Sequence, residues 1–149
     1  MIQNALLEMQ LFDSAKETDN KLRWDAYIDG TKFSLYIPKW RVPEPWPSRV
    51  WINVVLNRSN ADDPPNMTPA DVNADPTIRH EPLIASIDKF REHTQTTRYR
   101  PTGDPSAWEI GEPYIPFAMT FDGADRLRMI IHWDVTSRGL FHSPIANPV

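Results

Sequence analysis

The chain has no cysteine, which excludes disulfides, thiolate nucleophiles and zinc–thiolate centres. Glycine is scarce too, five residues against fifteen prolines. Proline cannot donate to a sheet ladder, so these residues belong at strand ends, edges and stiff loops. No stretch approaches the ~20 apolar residues of a membrane-spanning helix. Charge of one sign is also missing: 16 Lys and Arg stand against 20 Asp and Glu, a net charge of −4. A general polyanion binder is therefore excluded, and any nucleic-acid role has to rest on a local basic patch. The opening MIQNALLEMQLFD lacks a basic stretch followed by an apolar run, so it does not read as a secretory signal. A cytoplasmic protein that does not enter a membrane is expected.

What is present begins with Lys21 to Pro38, KLRWDAYIDGTKFSLYIP. Asp29-Gly30 predicts a two-residue hairpin turn, because both central positions need positive φ. Folding there sets Ile28 opposite Thr31, Ala26 opposite Phe33, Trp24 opposite Leu35 and Leu22 opposite Ile37. One face is then apolar and the other polar, and a slip of one residue would scramble both. Residues 4–12 alternate as a first strand, with Ala5, Leu7, Met9 and Leu11 on one side. With the polar connection 14–20 they make a three-stranded meander.

After the hairpin comes PKWRVPEPWPSR, residues 38–49, a stiff loop because each proline biases its predecessor toward extended geometry. Val50 to Asn57 reads as a strand with Val50, Ile52, Val54 and Leu56 on one face. The acidic, proline-rich segment at about 58–82 is expected to be mobile, apart from one helical turn capped by Thr68. Residues 82–93 predict a short amphipathic helix from Leu83, Ile84, Ile87 and Phe90; a strand would divide those residues between two faces. Thr94 to Arg100 is a polar strand, and Trp108 to Ile110 another short one. Phe117 to Phe121 and Arg126 to Val135 read as a second hairpin about Gly123-Ala124-Asp125, with Phe121 facing Leu127 and Met119 facing Met129. The tail from Ser137 is turn-like. The fold class is mainly β: a single domain over 1–149, an antiparallel barrel or sandwich of about seven to nine short strands with one or two short helices.

No P-loop, GxGxxG, GxSxG or EF-hand spacing occurs. No cofactor and no metal are expected. An enzyme is the weaker reading, a hydrolytic or metal-assisted one built on His132 and Asp134. Period 2 puts those two on one strand face, but a site needs a third group from elsewhere. His80-Glu81 and Glu92-His93 do not match HExxH and would stand about 18 Å apart on a helix.

Two features suit recognition better. Trp40, Arg41, Trp46 and Arg49 lie in the proline-stiffened loop, with Trp51 just beyond it. Rigid backbone lowers the entropy cost of presenting aromatic side chains, and interface energy concentrates in Trp, Tyr and Arg. A binding or adaptor domain follows, with another protein or a second copy as partner. The alternative is single-stranded nucleic acid held by Arg98, Tyr99, Arg100, Arg126 and Arg128, with Lys89, Phe90 and Arg91 nearby. Cations serve the phosphates there and rings the bases.

Overall fold

A computed structural model of the chain describes residues 6–12, 20–57 and 66–134. Alternating side chains and tight reversals give eight strands among these residues: β1 (Leu7–Leu11), β2 (Lys21–Ile28), β3 (Thr31–Pro38), β4 (Arg49–Leu56), β5 (Leu83–Glu92), β6 (Thr96–Pro101), β7 (Tyr114–Pro116) and β8 (Arg126–His132). They form one antiparallel sheet in the order β3-β2-β1-β4-β8-β5-β6-β7. The sheet curls until its two edge strands approach, where the Gly111 amide donates to the Tyr36 carbonyl at 2.9 Å. A Cβ on Gly111 would stand 3.3 Å from that of Tyr36, so a side chain there would press the closing strands apart. The result is a nearly closed barrel. No described helix is long and apolar enough to cross a membrane.

The β2–β3 hairpin has the register that its turn and parity demand, Ile28 with Thr31 through Leu22 with Ile37. Asp29 and Gly30 take φ of 51° and 80°. Trp24, Phe33, Leu35 and Ile37 are buried in the barrel core. They meet Met9 of β1, Val50 and Ile52 of β4, and Leu127, Met129 and Ile131 of β8. The meander is present, with β1 paired to both β2 and β4. The one α-helix among the described residues, α1 (Pro69–Ala74), starts at Thr68, whose side chain accepts from the Asp71 amide while the Asp71 carboxylate accepts from the Thr68 amide. A 3-10 turn, Pro76–His80, continues from it into β5. Residues 66–82 of the segment expected to be mobile thus carry a capped helix and a turn, and Val72 is buried. Residues 58–65, the connection 13–19 and the tail lie outside the described residues.

Three local expectations are corrected. Residues 83–92 form a strand, not a helix. β5 is hydrogen-bonded along both edges, to β8 and to β6. Leu83, Ala85 and Ile87 are buried in the core, and Ser86 on the other face is buried as well, where it accepts from Asn57 Nδ2 at 3.0 Å. Apolar Ile84 and Phe90 on that other face, half-buried and exposed, break the alternation, so that the apolar residues mimic a helical stripe. Trp108 to Ile110 is not a strand; it follows a 3-10 turn, Pro105–Ala107. Phe117 to Phe121 does not pair with β8 either. Residues 117–119 coil as a 3-10 turn directly after Pro116, and the chain reverses with positive φ at Phe121, Asp122 and Gly123. β8 instead lies between β4 and β5, whose edges run beside it over nearly its whole length.

Candidate functional site

The loop after β3 is organised by a buried ion pair. Pro38 ends the strand and a 3-10 turn, Lys39–Arg41, carries Arg41 inward. Arg41 is only 1% exposed, so this arginine is not offered to a partner as its sequence context suggested. Its Nε donates to Glu109 Oε1 at 2.6 Å and its Nη1 to the Arg79 carbonyl at 2.9 Å. Nη2 reaches the Glu81 carbonyl at 3.1 Å. The second Glu109 oxygen accepts from the Met67 amide at 3.3 Å, and the guanidinium lies 5.8 Å from the ring centre of Trp133. Burial lowers the Arg41 pKa and raises that of the Glu109 carboxyl, each against the pull of its partner. The pair therefore stabilises little by itself, yet loss of either member would strand an uncompensated charge. Its role is to fix the loop, the 79–82 segment and the 105–111 segment at one end of the barrel.

That fixing creates a cleft of about 350 Å³. One wall comes from the end of β3 and the turn after it, with Lys39 and Trp40; the opposite wall carries Pro105, Ser106 and Trp108. Asn20 and Lys21 close one side, and Pro38 and Ile110 line it as buried apolar residues. The walls are tied by backbone bonds, Lys39 N to Asn20 O at 2.9 Å and Gly111 N to Tyr36 O at 2.9 Å. Both indoles are half-buried. Trp108 Nε1 donates to the Gly103 carbonyl at 3.1 Å, which commits the polar edge and fixes the ring. Ser106 is held by Asp104, whose carboxyl accepts from its amide and its hydroxyl at 3.0 Å each. The two bonds keep that carboxyl below its usual pKa. Among the described residues the lining contains indoles, prolines and two lysines, with no carboxylate or imidazole that would serve as a general base. Such a surface can stack on a flat apolar group and pair with a neighbouring anion.

The remaining loop candidates lie elsewhere. Trp46 packs on the core, with the Lys39 ammonium 5.4 Å from its ring centre. Arg49 is exposed at the start of β4, with Nε 3.8 Å from Glu8 Oε2. Trp51 is half-buried on the outer face of β4, in register with Glu8 and His132 on its neighbours. Of the five, Trp40 alone lines the cleft. Trp108 and Lys21 join it through tertiary closure, which no local pattern announces.

The second candidate set is also rearranged. Tyr99 is fully buried, and its hydroxyl donates to the Ala124 carbonyl at 2.8 Å. Burial, with Asp125 and Glu92 adding to it, pushes its pKa up to about 12. It cannot stack on a ligand, because parity on β6 sends Arg98 and Arg100 outward and Tyr99 inward. Arg126 pairs with Asp88 at 2.9 Å. Arg126 and Arg128 are separated from Arg98 and Arg100 by the whole of β5. In place of Tyr99 the exposed ring is Phe90, the extra residue in a register shift between Lys89 and Arg91. Arg100, Arg98 and Arg91 hold their guanidinium carbons 3.7, 4.7 and 5.3 Å from its centre. Arg98 also stands 5.6 Å from exposed Tyr114, and the His93 ring lies 5.4 Å from the same tyrosine. Glu112 accepts from Arg98 at 2.6 Å and, through its other oxygen, from Arg100.

His132 lies on the outer face of β8, and exposed Asp134 follows the strand. Among the described residues no group of three or more His, Asp or Glu side chains converges to hold a metal. No protein-family model matches this chain, and no curated protein does.

Proposed function

We propose that the protein is a non-enzymatic binding domain that takes a protein partner through the Trp40–Trp108 cleft. The supporting observation is the pairing of two half-buried indoles with Lys21 and Lys39 around one opening of about 350 Å³. That volume is at the small end of ligand sites. It suits one or two side chains of an extended segment rather than a globular surface. Prolines stack well on aromatic walls, and a segment already extended loses little entropy on docking. The positive charge of Lys21 and Lys39 at the opening favours an acidic residue beside the proline. An adaptor acting in the cytoplasm is the cellular setting proposed for it.

The test is a fluorescence titration with a blocked peptide of alternating proline and glutamate. Saturable quenching is expected for the intact chain, with at least tenfold weaker binding in Trp108→Ala and in Trp40→Ala. An unaltered titration in both variants would overturn the reading. Sedimentation at rising concentration separates a foreign partner from a second copy, since only the latter changes the mass without added peptide.

A further inference from the structure

We propose that the outer face of β5, β6 and β7 is a second binding surface, one that takes single-stranded nucleic acid. It shares no residue with the cleft, so either reading can fail without the other. Three arginines, Arg91, Arg98 and Arg100, converge on the exposed ring of Phe90. Among the described residues, the one carboxylate shown to bond Arg98 and Arg100 is Glu112. The patch therefore keeps an excess of positive charge on a chain whose net charge is −4. That local reversal of sign is the electrostatic footprint of a polyanion site.

The rings decide which polyanion. Phe90 and Tyr114 are 40% and 44% exposed, two of the few large apolar side chains among the described residues that reach solvent. They flank β6, two strand spacings or about 10 Å apart, with Arg98 between them. Successive bases of a single strand stack on such rings, while guanidinium N–H edges pair with the phosphates between. A duplex cannot use the rings, because its bases are already stacked. An acidic peptide would use the arginines and leave the rings idle. Glu112 holds Arg98 and Arg100 in place before any phosphate arrives, so little order has to be gained on binding.

The experiment is fluorescence anisotropy with a labelled oligothymidylate of about 12 nucleotides, titrated between about 20 and 200 mM NaCl. Binding is expected to weaken with salt at a logarithmic slope of about −2, three arginines at about 0.7 each. Phe90→Ala should lose at least about fivefold in affinity, the low end for one stacked base, while Phe90→Trp retains binding. Arg100→Gln should flatten the slope by about 0.7. Trp108→Ala should leave the oligonucleotide isotherm unchanged. Absence of binding at the lowest salt would overturn the proposal. So would equal affinity of Phe90→Ala and the intact chain, or tighter binding of an oligoglutamate than of the oligonucleotide.

Discussion

Two arginine–glutamate arrangements occupy opposite environments in this barrel. Arg41 and Glu109 are 1% and 6% exposed and tie three loop segments to one end. Arg98 and Arg100 share Glu112 at 23%, 46% and 21% exposure on the outer face. The residue types are the same, and water makes the difference. Charge removed from water is committed to the fold, because nothing else can compensate it. Charge left in partial contact with water contributes less to the fold.

The largest expected effect tests the buried arrangement. Glu109→Gln should destabilise by roughly 3–5 kcal/mol, since it leaves the Arg41 guanidinium buried without its counter-charge. Urea unfolding of this variant beside Glu112→Gln checks the contrast, and equal losses would break it. The cleft should fail together with Glu109, because the segment bearing Trp108 is held by that pair.

A second, smaller effect separates the two sides of β6. Tyr99 has a folded pKa of about 12 against an unfolded value of about 10. Its raised folded value means that its contribution is complete below about pH 10 and is lost as pH rises through about 12. Two units correspond to roughly 2–3 kcal/mol. Tyr99→Phe should remove that alkaline decline in thermal unfolding while costing about 1 kcal/mol at neutral pH through the lost hydrogen bond. A decline of unchanged size in Tyr99→Phe would place its origin elsewhere.

The smallest effect belongs to Glu112. Burial alone would raise its carboxyl pKa, but hydrogen bonds from Arg98 and Arg100 bring it below the usual carboxylate value. A depressed folded value gives stability that is present above the unfolded pKa and lost as pH falls through the folded one. Glu112→Gln should therefore flatten the stability profile below about pH 4, with a change at neutral pH within about 1 kcal/mol. A loss at neutral pH as large as that of Glu109→Gln would show the outer pair to be structural.

The same division between local and distant determinants explains what could be read along the chain. The β2–β3 register, the Thr68 cap and the strand parity of β4 and β8 all follow from residues close in sequence. β5 was obscured because its outer face carries half-buried Ile84 and exposed Phe90, which together with Leu83 and Ile87 suggested a helical stripe. The supposed strand at 117–121 yielded to Pro116 and to positive φ at Phe121 and Asp122, which Asp tolerates in turns and Phe rarely adopts. Among the candidate sites, Trp40 was legible as a loop aromatic. Arg41 was not, because its partner Glu109 lies 68 residues away. Tyr99 was miscast although parity with Arg98 and Arg100 already turned it inward. Phe90 owes its position to a bulge that no local residue marks.

The claim that the cleft binds a partner is tested most directly by the indole N–H resonances of 15N-labelled protein during titration with the proline–glutamate peptide. Trp40 and Trp108 should shift progressively and saturably, while Trp24, buried with its Nε1 bonded to the Pro47 carbonyl, stays in place. Unmoved Trp40 and Trp108 signals, at peptide concentrations that shift other residues or none, would contradict it.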